Sequence, residues 1–246
     1  MDKEKTKRRI KFWIAISILA IIILLVATIM IRYQVEGDQN MPFNISKIIV
    51  VSTAEGQETE GERKWNFNIH QNNDVYIYFD KNENYWGQEK KIESVRIENI
   101  NITKAPTKGE IKAYMPNSLE GRLYNYSDEY IVNGALEYKG ADESSPQTLE
   151  IGENGGRALI SFSNVGLEQY SSDEDEEIIH DGTLLKRIDI TNEDILFDVS
   201  FDLVITVQNA SYRGNVSLQL PCGNILEEGT SSLEKNDFSD VIFKRD

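Results

Sequence analysis

Residues 195–207 read ILFDVSFDLVITV. Ile195, Phe197, Val199, Phe201, Leu203, Ile205 and Val207 take every second position, with Leu196, Asp198, Ser200, Asp202, Val204 and Thr206 between them. Side chains alternate between the two faces of a β-strand, so this period of two predicts a strand with one buried and one mostly polar face. A slip of one residue would bury Asp198 and Asp202, so the register is strongly fixed. Val216, Leu218 and Leu220 repeat the pattern until Pro221. Asn209 to Asn215, containing Gly214, is read as the intervening turn, which makes the two strands antiparallel neighbours.

The same signal recurs through the chain. Trp65, Phe67 and Ile69 alternate with polar residues, and 75–79 (VYIYF) follows the tetrad Gln71-Asn72-Asn73-Asp74. Such a tetrad is rich in turn formers, so a hairpin is expected there. Val95 and Ile97 share one parity and Ile100 and Ile102 the other, which predicts a β-bulge at Glu98-Asn99. Ile45–Ser52, Ile111–Tyr114, Ala158–Phe162 and Leu184–Ile190 are further strand candidates, and Val241–Phe243 suits a short last strand. Many short strands joined by polar turns predict an all-β fold, an antiparallel β-sandwich of jelly-roll or immunoglobulin-like kind. One domain over 43–246 is expected, with 139–147 (KGADESSPQ) as the place where it would divide in two.

Residues 12–31, FWIAISILAIIILLVATIMI, carry no charge. A helix of that length covers about 30 Å, the thickness of a hydrocarbon core. The chain's net charge of -15 divides around it. Residues 1–32 hold seven bases and two acids, a net of +5, and the rest hold 19 bases and 39 acids, a net of -20. Bases are retained on the cytoplasmic side, so the expected order is a cytoplasmic tail (1–11), a spanning helix (12–31), a short stem (32–42) and an acidic extracytoplasmic domain. The cell membrane is the expected location. A cleaved signal peptide usually has a shorter apolar run ending in a small-x-small site, and neither is present, so an uncleaved signal-anchor is predicted.

The acidic balance argues against nucleic acid as a partner. One cysteine, Cys222, allows no internal disulfide, and a buried, inert thiol is the reading adopted. His70 and His180 lack the spacing of a zinc site. A Ser–His–Asp site would use His180, but no nucleophile-elbow motif accompanies it. No enzyme activity is expected, and an anchored hydrolase is the remote alternative.

Two sites are named for binding. Asp173, Asp175 and Glu177 in the acidic run 173–177 would supply oxygens to a calcium ion, with Asp198 or Asp202 adding from a neighbouring strand. A solvated acidic loop is the simpler reading of the run, and no other cofactor is expected. Tyr76, Tyr78, Tyr85 and Trp86 would form an aromatic platform for a sugar or protein; the same rings would otherwise be core. The function expected is that of a non-enzymatic binding or structural module for an envelope partner, self-association included. A carbohydrate- or calcium-binding cell-wall module is the alternative.

Overall fold

The computed structural model describes residues 2–38, 40–88, 90–116, 126–130, 135–139, 151–152, 155–173, 183–208 and 210–246. A helix, α1 (Asp2–Asp38), leads into two antiparallel sheets that share an apolar core in a sandwich-like arrangement. The first sheet holds β1 (Phe43–Glu58), β2 (Trp65–Lys81), β4 (Glu110–Pro116), β5 (Tyr126–Tyr130), β7 (Ile151–Gly152), β8 (Gly155–Ser172) and β11 (Thr230–Lys235). Its order is β11-β1-β2-β8-β4-β5, and β7 also pairs with β8. The second sheet holds β3 (Ile92–Lys104), β6 (Ala135–Lys139), β9 (Phe197–Val207), β10 (Ala210–Leu220) and β12 (Lys244–Arg245), ordered β12-β10-β9-β3-β6.

The strand read first from the sequence lies inside this second sheet, between β3 and β10. Phe197, Val199, Phe201, Leu203, Ile205 and Val207 are all buried in the core, in the register the alternation demands. Ile195 is buried too, but it ends the short helix α3 (Asn192–Ile195) rather than opening the strand. The bulge falls where parity changed: the β3–β9 register shifts between Glu98 and Asn101, with Asn99 at φ 53°.

On the polar face of this sheet Arg213 ties three strands together. Its guanidinium pairs with Glu98 of β3 at 2.5 Å, Asp202 of β9 at 3.1 Å and Asp246, beyond β12, at 3.0 Å. Asp202 also accepts from Asn99 at 2.8 Å and Asn215 at 2.9 Å.

Four expectations about local structure are corrected. The tetrad Gln71–Asp74 is not a turn, because β2 runs unbroken through it from Trp65 to Lys81. Its side chains find partners inside the protein, described below, which removes the reason to leave the strand. Leu184–Ile190 is not a strand. Leu184, Leu185 and Ile188 lie one and four residues apart, a helical stripe, and they pack from α2 (Thr183–Arg187) and its end into a second apolar cluster. That cluster also holds Ala54, Ile69 and Ile225, the last from α4 (Ile225–Glu228).

The turn after β9 is shorter than Asn209–Asn215, since β10 already begins at Ala210. Gly214 lies within β10 because the Phe243 ring packs over it, where a Cβ would come within 3.0 Å. The last strand is Lys244–Arg245, while Phe243 docks in the core as an anchor.

α1 extends beyond the apolar run on both sides, through the basic residues before it and to Asp38 after it. From Phe12 to Ile31 the large apolar side chains are exposed, and the helix is long and apolar enough to cross a membrane. Thr28, a hydroxyl in this stretch, donates to the Leu24 carbonyl at 2.7 Å and so needs no outside partner.

Candidate functional site

The three longest strands, β1, β2 and β8, are neighbours of 16 to 18 residues. Near the middle of β2 both faces turn polar while remaining buried. Gln71, Asn72, Asn73 and Asp74 are at most 2% exposed, and Ser161, Ser163 and Asn164 on β8 and Ser52 on β1 are buried with them.

The core-facing half of this seam is Gln71, Asn73, Ser52 and Cys222. The Gln71 amide donates to Asn73 Oδ1 at 2.6 Å and to the Asn72 carbonyl at 2.9 Å. Ser52 donates to Asn73 Oδ1 at 2.7 Å and accepts from the Cys222 N–H at 2.9 Å. Asn73 in turn donates to the Phe162 carbonyl across the β2–β8 ladder at 3.1 Å. The band lies between the two apolar clusters, with Val75 and Ile77 on one side and Ala54 and Ile69 on the other. Cys222 is the buried thiol expected, held by this network.

The opposite face of the same strands carries the titratable groups. His70, Asn72, Asp74, Tyr76 and Tyr78 follow one another along β2 at a period of two, beside Thr53 and Glu55 of β1 and Ser161 and Ser163 of β8. Ser161 donates to Asp74, and Ser163 donates to Asn72 Oδ1 at 2.5 Å. His70 Nε2 lies 3.4 Å from Glu55 Oε2, and Thr53 donates to Glu55 at 3.2 Å. The serine hydroxyls thus serve a carboxylate and an amide, and the imidazole serves Glu55.

Burial disfavours the charged form of Asp74 and pushes its carboxyl up to about 6. The Ser161 hydroxyl works against this shift, and the nearby Glu55 charge adds to it. Burial would raise Glu55 as well, but hydrogen bonding to His70 and Asn72, the His70 charge and Thr53 outweigh it, so Glu55 sits below its ordinary value.

The two carboxylates therefore act on stability with opposite sign. The unfolded chain releases the Asp74 proton near 3.8, whereas the fold holds it to about 6, so Asp74 costs stability as the pH rises through that window. Glu55 contributes stability above 4.5 and loses it as the pH falls through its folded value. Asp74→Asn keeps an acceptor for Ser161 and abolishes the titration. The variant is expected to be more stable than the parent at pH 7.5 by at most about 3 kcal/mol, and equal to it near pH 4. Urea unfolding of the detergent-solubilised chain at the two pH values checks this; an equal gap at both would show that Asp74 ionises normally.

The sequence-named residues are placed as follows. Tyr76 is buried with the Arg157 guanidinium 5.8 Å from its ring centre, and Tyr78 is half-buried with the Lys47 ammonium 4.8 Å from its own. Tyr85 and Trp86 lie in the following loop, 82–91, rather than on the strand. Lys90 stands 5.8 Å from the Tyr85 ring, and Trp86 is 64% exposed. Asp173 is exposed at the end of β8, 3.9 Å from Arg63. Asp175, Glu177 and His180 lie outside the described residues.

Asp198 and Asp202 sit on the second sheet, where Asp202 is engaged by Arg213 and Asp198 accepts from Gln219 at 3.0 Å. Among the described residues no group of three or more His, Cys, Asp or Glu is arranged to hold a metal ion. The seam itself escaped the sequence reading, although its signal was present: the period of two continues from Ile69 through Gln71 and Asn73 to Val75.

No protein-family model matches the chain, and comparison with curated proteins and with solved structures finds none that matches it.

Proposed function

We propose that this chain is a single-pass, membrane-anchored protein of the cell envelope whose acidic β domain, outside the cytoplasm, acts as a non-enzymatic binding or structural module for an envelope partner. The observation that carries this reading is the surface of α1. Every large apolar side chain from Phe12 to Ile31 is exposed, an arrangement that water disfavours and lipid accepts. The bases before the apolar run support a cytoplasmic N-terminus. The passage of the chain from sheet to sheet, β2 to β3 to β4, supports a jelly-roll-like path.

The net charge of -20 beyond the span suits a basic partner or divalent cations. Cross-linking in the native membrane, followed by identification of what is attached, tests the proposal. An envelope protein or wall polymer on the chain is the expected result. Recovery of the chain alone, or joined only to itself, would overturn the hetero-partner and favour self-association.

A carbohydrate- or calcium-binding role is the second reading, favoured by the carboxylates, amides and hydroxyls gathered beside Tyr76 and Tyr78. A ligand of the folded state raises the unfolding midpoint, so millimolar calcium that leaves the midpoint unmoved would discard the calcium form of it.

A further inference from the structure

The end of the β domain nearest α1 is unlike the rest of its surface. Four residues separate Asp38, the last of α1, from Phe43, the first of β1, and of these Asn40, Met41 and Pro42 are buried. The loop 82–91 is fastened to this short passage. Asn82 donates its side-chain amide to the Met41 carbonyl at 2.8 Å and its backbone N–H to the Pro42 carbonyl at 2.9 Å. The Trp86 backbone N–H donates to Asn40 Oδ1 at 3.3 Å.

Trp86 is thereby held beside the end of the helix with its ring in the open. At 64% exposed it is a large aromatic open to its surroundings. The C-terminal strand β12 also adjoins α1, and Ile242, just before it, is 54% exposed.

Charge follows the same division. Residues 81–91 and 240–246 contain Lys81, Lys90, Lys91, Lys244 and Arg245 against Glu83, Glu89, Asp240 and Asp246. This end is close to neutral, in a region where the remaining 35 acids face 14 bases. An anionic surface would repel the domain elsewhere and repel it least here.

Lengths agree with a lipid surface at this end. If residues 12–31 fill the hydrocarbon, the helical residues 32–38 rise about 10 Å further. A headgroup layer is roughly 5–8 Å deep on each side. Asn40, and with it the Trp86 backbone, then stands a few ångströms outside the headgroups, a gap no longer than a tryptophan side chain. An indole has an apolar body and an N–H donor, which is the chemistry that this layer retains.

We propose that this end of the β domain seats on the lipid headgroup layer, with the Trp86 ring in the interface and the flanking lysines and arginine toward lipid phosphates. The proposal rests on the reading that α1 spans a bilayer. It adds a second membrane contact, which fixes how the domain is held.

The test uses the full chain reconstituted in phosphatidylcholine–phosphatidylglycerol vesicles with acyl chains brominated near the headgroup. The emission of Trp86 is taken as the difference between the parent and Trp86→Phe, an exposed substitution that leaves the core intact. Flotation of the vesicles is measured on the same samples. Quenching of roughly half of the difference emission is expected for a ring at headgroup depth. Protein that floats but leaves Trp86 unquenched, with the emission of a ring in water, would overturn this proposal and leave the anchor standing. A blue-shifted but unquenched ring would overturn it in favour of a protein contact, such as a second copy. Failure to float would remove the anchor reading, and this proposal with it.

Discussion

Introducing two arginines at the middle of α1, Ile21→Arg with Leu24→Arg, is expected to abolish membrane retention of the chain. Both positions are exposed, Ile21 at 63% and Leu24 at 71%, within a run that has no charge of its own. An arginine near the centre of a spanning helix costs about 3 kcal/mol, and each lost aliphatic side chain removes a further few tenths, so the pair costs about 6–7 kcal/mol. Neither side chain is near enough to the ends of the span for easy snorkelling. The measurement is the share of the chain that stays in the membrane pellet after alkaline extraction. The parent and the apolar exchange Ile21→Leu with Leu24→Ile should remain there, and the arginine pair should not. Retention of the arginine pair would mean that α1 does not hold the chain by spanning lipid.

Phe201→Ala is expected to destabilise the β domain by about 3–5 kcal/mol. Phe201 is fully buried on β9, and its ring is stacked on Phe162 of β8 with centroids 6.5 Å apart. That contact joins the two sheets, so truncation opens a void where they meet rather than at an edge. Whole domains are stable by only about 5–15 kcal/mol, which makes this loss a large fraction. For a domain of this size the midpoint should fall by roughly 6–20 °C. Thermal unfolding beside the control Leu233→Ala, at a half-exposed site, measures it, and the control should change stability by less than about 0.5 kcal/mol. A Phe201→Ala midpoint within a degree or two of the parent would mean that the sheets do not pack through this residue.

Burial of the 195–207 stretch was legible because the information is local. Every second residue is apolar, and water alone sets the face. Gln71–Asp74 misleads for the opposite reason. Its residue types favour turns when they lack partners, and here the partners come from far along the chain: Ser52 is 21 residues from Asn73, and Phe162 is 89. No local pattern carries that information. The tyrosines show both sides of the matter. That Tyr76 and Tyr78 share a face followed from parity, but the cations over their rings, Arg157 and Lys47, come from strands whose register only the folded sheet reveals. Leu184–Ile190 was misread because two adjacent leucines followed by Ile188 satisfy helical spacing better than alternation, in a segment too short for periodicity to decide.

The direct passage from α1 to β1 has a mechanical consequence. β1 is bonded along both edges, to β2 from Phe43 to Glu58 and to β11 from Ile48 to Thr53. A pull on the chain before Phe43 enters β1 at its end, and the part of it directed along the strand axis loads both ladders. Ladder hydrogen bonds lie across that axis, so many rungs are sheared together instead of being unzipped one at a time. On the proposed reading, that resistance is suited to passing force between a bilayer and a partner of the β domain.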